Sequence, residues 1–253
     1  MSPWGGAGDR PRLHWFGLTE GWYGIQVGEH EMLRYRRLDH PDCYIGYYLA
    51  RLWEDLIVLT PHLLEPVPAD LQPFIASDRT QWVGEPWPSC VDGDEVDPTV
   101  ADAAVVTAAI WHGGHELDFG YLRNPPRLRL WRSVRGDRDE MTVDWRHDDD
   151  GEIGFTAGPA LRVSVATVDY QQAVAALDQD LMTAMRHRVE DRDRRGGLPG
   201  VDIDLAELRR DHDNRTRSRT RTLHQPPQTD WDAVRYGARR LLGDTVQTRT
   251  PTA

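Results

Sequence analysis

Arg127-Leu128-Arg129-Leu130-Trp131-Arg132 and Met141-Thr142-Val143-Asp144-Trp145-Arg146 decide the fold class. In each stretch apolar residues alternate with polar ones, the period-two signature of a strand with two unlike faces. The intervening segment, Val134 to Glu140, reads as a turn. Leu128 and Leu130 share one face of the first strand, and Met141, Val143 and Trp145 share one face of the second. A slip of one residue turns every side chain over, so both apolar sets reach one core only if even positions pair with odd ones. Pairing Arg129 with Asp144 meets that condition. It also sets Trp131 opposite Thr142 and Arg127 opposite Arg146.

Other strands extend this hairpin into a meander. Leu117 to Leu122, Ile153 to Thr156 and Leu161 to Val165 have strand composition, and Asp149-Asp150-Gly151 marks a turn. Nearer the N-terminus, Tyr23 to Val27 alternates in the same way. Gly28-Glu29 followed by Glu31 to Tyr35 completes a hairpin with glycine first in the turn.

Helical spacing fills the rest. Tyr44, Ile45, Tyr48, Leu49, Leu52, Trp53, Leu56 and Ile57 recur on one broad face, behind a cap at Asp39 or His40 with Pro41 in the first turn. Pro61 is expected to end or kink this helix. Pro61 to Thr99 reads as mostly irregular, and Thr99 to Trp111 as an alanine-rich buried helix. Thr167 starts a helix that carries Tyr170, Val174, Leu177, Leu181 and Met185. Asp204 with Glu207 starts another, and Thr229 or Asp230 starts the last, which stops near Gly243. The expected architecture is α+β: a largely antiparallel sheet, made of an N-terminal hairpin and a central meander, with helices packed mainly on one face. It forms a single domain over residues 1–253, loose at about 1–10 and 244–253.

Composition excludes several chemistries. All 30 basic residues are arginine. Without lysine there is no Walker A lysine, no kinase strand lysine, no pyridoxal Schiff base and no Ser-x-x-Lys acylation centre. Arginine stays charged and cannot act as a nucleophilic amine. A GC-rich genome favouring arginine codons is the expected origin of this bias. No Gly-x-Ser-x-Gly elbow is present. The two cysteines, Cys43 and Cys90, make neither a disulfide framework nor a zinc site. The chain starts without a signal-peptide pattern, and the most apolar stretch, Ala101 to Trp111, is too short to span a bilayer. A reduced, cytoplasmic setting without a cofactor is expected.

Three groups of residues invite a functional reading. His112, His115, Glu116 and Asp118 are the densest set of possible metal ligands. They would serve a metal-assisted hydrolase, although Gly113 and Gly114 disfavour a helix that would align the histidines. Arg217, Arg219 and Arg221 alternate with Ser and Thr in a segment, Arg186 to Arg221, that carries 11 arginines against 8 acidic residues. They would grip phosphates, or else lie on a solvated helix face laced with ion pairs. The third group is the second face of the hairpin: Arg127, Arg129, Trp131, Thr142, Asp144 and Arg146. Arginine and tryptophan are enriched at binding hot spots. Either this face is wet and binds a partner, or a helix covers it and Trp131 is core. The acidic runs at Asp92 to Asp97 and Asp148 to Glu152 lack the spacing of a calcium loop and read as solvated turns.

Six segments together resemble an uncharacterised actinobacterial family known as a domain of unknown function. They are Leu13 to Tyr23, Arg51 to Leu56, Leu117 to Leu122, Leu130 to Arg132, Val143 to Arg146 and Thr229 to Arg235. The resemblance runs from about Pro11 to Leu242. It implies one domain of bacterial cytoplasmic origin and brings no activity, cofactor or catalytic residue with it.

The leading functional expectation is therefore a non-catalytic protein-binding role, immunity-like or regulatory. The net charge of −11 suits a basic protein partner and disfavours nucleic acid and anionic membrane.

Overall fold

The computed structural model describes residues 12–36, 43–83, 100–195, 200–223 and 227–243. The central sheet has four antiparallel strands in the order β5 (Glu116–Leu117), β6 (Arg127–Arg135), β7 (Arg138–Arg146) and β8 (Ala160–Ala166). Arg129 pairs with Asp144, Trp131 with Thr142 and Arg127 with Arg146, the register the alternation demands. The β6–β7 turn is tighter than expected. Both strands run on to Arg135 and Arg138, and Gly136 supplies the positive φ of 61° between them. Ile153 to Thr156 is not a strand; Phe155 makes one isolated bridge to Tyr35.

Two short ribbons precede the sheet. β2 (Ile25–Val27) and β3 (His30–Met32) form the expected hairpin, with Gly28 at φ 58° in its turn. β1 (Glu20–Tyr23) pairs with β4 (Ile45–Tyr48), which corrects the helix expected from Tyr44 onward. The residues Ile45-Gly-Tyr-Tyr48 include β-branched and aromatic side chains that suit a pleated ribbon. Helix α1 then runs over Leu49–Leu64, with Pro61 inside it. Pro61 falls in the last turn and is buried, so the helix stops only after Leu64.

The remaining helices are α2 (Gln72–Ile75), α3 (Val100–Gly113), α4 (Thr167–Arg195), α5 (Leu205–Thr216), α6 (Ser218–Leu223) and α7 (Trp231–Leu242). Asp204 and Asp230 cap α5 and α7 by accepting hydrogen bonds from the backbone N–H groups of Glu207 and Ala233. The expected cap at residues 39–41, the acidic run 92–97, Cys90 and both termini lie outside the described residues.

The fold is α+β. Leu128, Leu130, Met141, Val143 and Trp145 enter the larger core with residues of α1 and α4. Trp53 Nε1 donates to Asp178 at 2.9 Å, and the Thr60 and Tyr170 hydroxyls meet at 3.0 Å, which ties α1 to α4 over this face. The opposite face is also covered. Trp131 packs there with Leu71, Phe74 and Ile75 around α2, and with residues of α3 and α7, in a second core. At the α3–α7 crossing, a Cβ on Gly237 would stand 2.2 Å from the Ala104 carbonyl oxygen. Among the described residues no helix is long and apolar enough to cross a membrane.

Candidate functional site

The Arg/Trp face of the hairpin is not exposed as one surface. Arg129, Trp131, Thr142 and Asp144 are buried, while Arg127 and Arg146 are half-buried at its end. The covering segment is read off the hydrogen bonds. One Arg129 amino nitrogen donates to the Ile75 and Ser77 carbonyls at 3.0 and 2.6 Å, and the other meets Glu116 at 3.1 Å. Trp131 Nε1 donates to Gln72 at 3.0 Å. The Arg162 guanidinium lies 5.4 Å from the Trp131 ring centre and bonds both Asp144 oxygens at 3.2 Å. Arg127 reaches Asp78 at 2.6 Å, and Arg146 lies 3.7 Å from Asp144. Guanidinium donors thus satisfy the carbonyls left at the end of a short helix, which is an architectural use of the face.

The four residues of the metal reading do not meet: the two histidines are buried, while Glu116 and Asp118 line a groove. His112 is buried against Phe74 and Trp82, and its Nε2 lies 3.3 Å from the Ser77 carbonyl. His115 packs on Trp111 and bonds that residue's carbonyl through Nδ1 at 2.8 Å. Burial holds both imidazoles down, to about 3 for His112, with Arg129 and Arg79 adding to the effect, and to about 4 for His115. Glu116 is held by Arg129; Asp118 is held by Arg51 at 3.0 Å and accepts from the Gly120 N–H. Among the described residues no group of three or more His, Cys, Asp or Glu side chains could hold a metal ion. Arg217 and Arg221 are exposed and Arg219 is half-buried. Beside them Ser218 and Thr222 line a groove with Glu54, Asp55, Glu116 and Asp118. Arg215 also lines it, paired with Glu54, so the carboxylates on that side outnumber the arginine.

A different site emerges between the layers. A cleft of about 600 Å³ opens over the sheet face that bears Leu128, Leu130 and Val143. Leu49, Leu52 and Leu56 of α1 form one wall; Tyr170, Val174 and Leu177 of α4 form the other. The segment Tyr23 to Gly28, leading into the β2–β3 hairpin, rims it. Protein interiors carry few voids larger than one water, and this space equals roughly twenty waters' share of liquid volume. It lies within the size range of small-molecule sites, about 300–1,000 Å³.

The polar groups of the cleft are few and mostly occupied. The Tyr23 hydroxyl bonds that of Tyr121, and the Tyr170 hydroxyl bonds Thr60. Burial pushes Tyr170 up to about 12, and raises Tyr23 further, so both phenols stay neutral. Gln26 bonds the Gly28 carbonyl. Asp169, in the first turn of α4, is exposed at the rim and has no ion-pair partner among the described residues. Nothing in this lining supplies a nucleophile with its base. The arrangement can exclude water from an apolar body and orient one polar head.

The sequence shows these leucines as helix-face residues and no more. A side chain lining a cleft and one filling a core follow the same period, so no local signal separates them.

A family model described as a family of unknown function (DUF5984) matches residues 1–237. No curated protein and no solved structure matches the chain. The match covers all six segments on which the resemblance was drawn, and the chain belongs to this family of unknown function.

Proposed function

We propose that this chain is a non-catalytic binding protein whose ligand is a small, largely apolar molecule held in the α1–α4 cleft. The observation that carries this reading is the cleft itself: about 600 Å³ bounded mainly by leucine and valine side chains of α1, α4 and the sheet. Filling it removes apolar surface from water, at about 25 cal/mol per Å² of that surface. A cytoplasmic, actinobacterial setting goes with this proposal. Titration with the neutral dye N-phenylnaphthylamine tests it. Saturable fluorescence enhancement is expected, and Ala173→Trp, which adds bulk at an exposed lining position of α4, should weaken it several-fold. A linear, unsaturable response that Ala173→Trp leaves unchanged would remove the reading.

A second proposal retains a protein partner, basic in character to suit the net charge of −11. What favours it is Trp22 on β1, which is 62 % exposed. Indole rings at exposed positions are frequent binding anchors. Used as bait in a lysate of its own cells, the wild-type chain should recover a basic protein that a Trp22→Ala bait loses. Equal recovery by both baits would count against it.

A further inference from the structure

We propose that the cleft selects amphiphiles with a cationic head, an alkylammonium type of ligand, over neutral and anionic ones. This rests on the reading of the cleft as a ligand site and adds the sign of the charge it accepts.

The argument is one of charge complementarity. Among the described residues no arginine or histidine lines the cleft. An anionic head would enter without a counter-charge, which is costly beside low-dielectric walls. Asp169 is the one carboxylate among the described lining residues, and no described side chain forms an ion pair with it. Its position in the first turn of α4 sets it against the positive end of the helix dipole. That end amounts to about half a charge, so a net negative potential remains at the rim. At the start of α4 Asp139 accepts from the Thr167 hydroxyl, and Arg132 balances its charge through bonds of 2.7 and 2.6 Å. The two tyrosine hydroxyls are engaged with Tyr121 and Thr60 and leave no strong donor aimed at an anion. An apolar tail against Leu52, Leu56 and Leu130, with an ammonium at Asp169, satisfies every group the cleft presents.

Three probes of equal tail length decide the matter: decylammonium, decanol and decanoate. Each displaces N-phenylnaphthylamine from the full chain, below its micellar concentration and at low ionic strength. Decylammonium should bind about threefold to tenfold more tightly than decanol, and decanoate more weakly than either, with the spread shrinking as salt is added. The chain carries a net charge of −11, so a general attraction for cations must be separated from the site. Asp169→Asn does this, because it leaves all the other carboxylates in place. It should bring decylammonium to the level of decanol, and Asp169→Arg should favour decanoate. Both substitutions lie at an exposed position, and thermal unfolding confirms that the fold is kept. If decanol binds but decylammonium has no advantage, or keeps its advantage in Asp169→Asn, the charge inference is overturned and the cleft stands as an apolar site. If none of the three displaces the dye and the dye itself fails to saturate, the binding reading falls as well.

Discussion

Glu116 and Arg129 are direct cross-strand partners on β5 and β6, and their side chains form an ion pair of 3.1 Å in which Arg129 is buried. The pair closes a set that also takes in the Ile75 and Ser77 carbonyls. A strand arginine thereby fixes the segment after α2 onto the sheet. The second core depends on that attachment, because Phe74, Ile75 and Trp131 all belong to it.

Arg129→Lys should therefore be costly although it keeps the charge. A lysine head is a compact point charge and cannot span two carbonyls and a carboxylate in a planar fork. Breaking one side of a buried pair costs about 3–5 kcal/mol, and lysine recovers part of this, so a loss of about 2–4 kcal/mol is expected. The urea midpoint should fall with the slope unchanged. A midpoint within about 0.5 kcal/mol of wild type would show that the fork is dispensable.

Gly237→Ala reverses the usual helix rule. Alanine inside a helix normally gains about 0.5–1 kcal/mol over glycine. Here the new methyl would stand 2.2 Å from the Ala104 oxygen and 2.6 Å from the Ala108 Cβ, so α3 and α7 must separate. A loss of about 1–3 kcal/mol is expected, read as a drop in melting temperature. A stabilised variant would mean that the crossing is looser than described.

Acid should weaken the fold through His112 and His115. Their folded values lie at about 3 and about 4, below the ordinary histidine value of 6.5. The unfolded chain takes up protons first, so their contribution is complete above about pH 6.5 and is lost as pH falls towards 4. Each histidine costs up to about 2 kcal/mol at pH 5. Urea unfolding of His115→Gln at pH 7 and pH 5 checks this. The variant, whose amide can still donate to the Trp111 carbonyl, should lose less stability between the two pH values than wild type. Equal losses would show that His115 titrates normally.

Asp55 should act in the opposite direction. Burial lifts its carboxyl to about 6; Arg51 opposes the shift, while Asp118 and Glu54 add to it. The contribution of the protonated form is present below about pH 4 and is lost as pH rises through 6. Asp55→Asn should stabilise the chain at pH 8 by about 1–2 kcal/mol, with the two stability curves converging below pH 4. Destabilisation at pH 8 would instead give the greater weight to the 3.2 Å pair with Arg51.

Much of this architecture is legible in local pattern. The β6–β7 register follows from two apolar sets that must share a face, and the β2–β3 turn follows from Gly28. The caps at Asp204 and Asp230 stand where short polar side chains precede an apolar stripe. Ile45 to Tyr48 escaped this logic because its apolar spacing also fits one turn of helix. Pairing with β1, more than twenty residues earlier in the chain, settles it as a strand. The candidate sites were less legible still. His112, His115, Glu116 and Asp118 are neighbours in the chain, but the end of α3 buries the two histidines against different backbone carbonyls, while Glu116 and Asp118 line a groove and pair with Arg129 and Arg51.

The sequence by itself determined the α+β class, the strand register and the exclusion of lysine chemistry, because composition and periodicity are local properties. The tertiary structure decided that both sides of the sheet are covered and where empty space remains. Arg129 is buried by carbonyls 54 and 52 residues away, and the cleft exists because α1 and α4 meet the sheet without closing over it. Burial is a relation between distant segments, and no stretch of chain carries it alone.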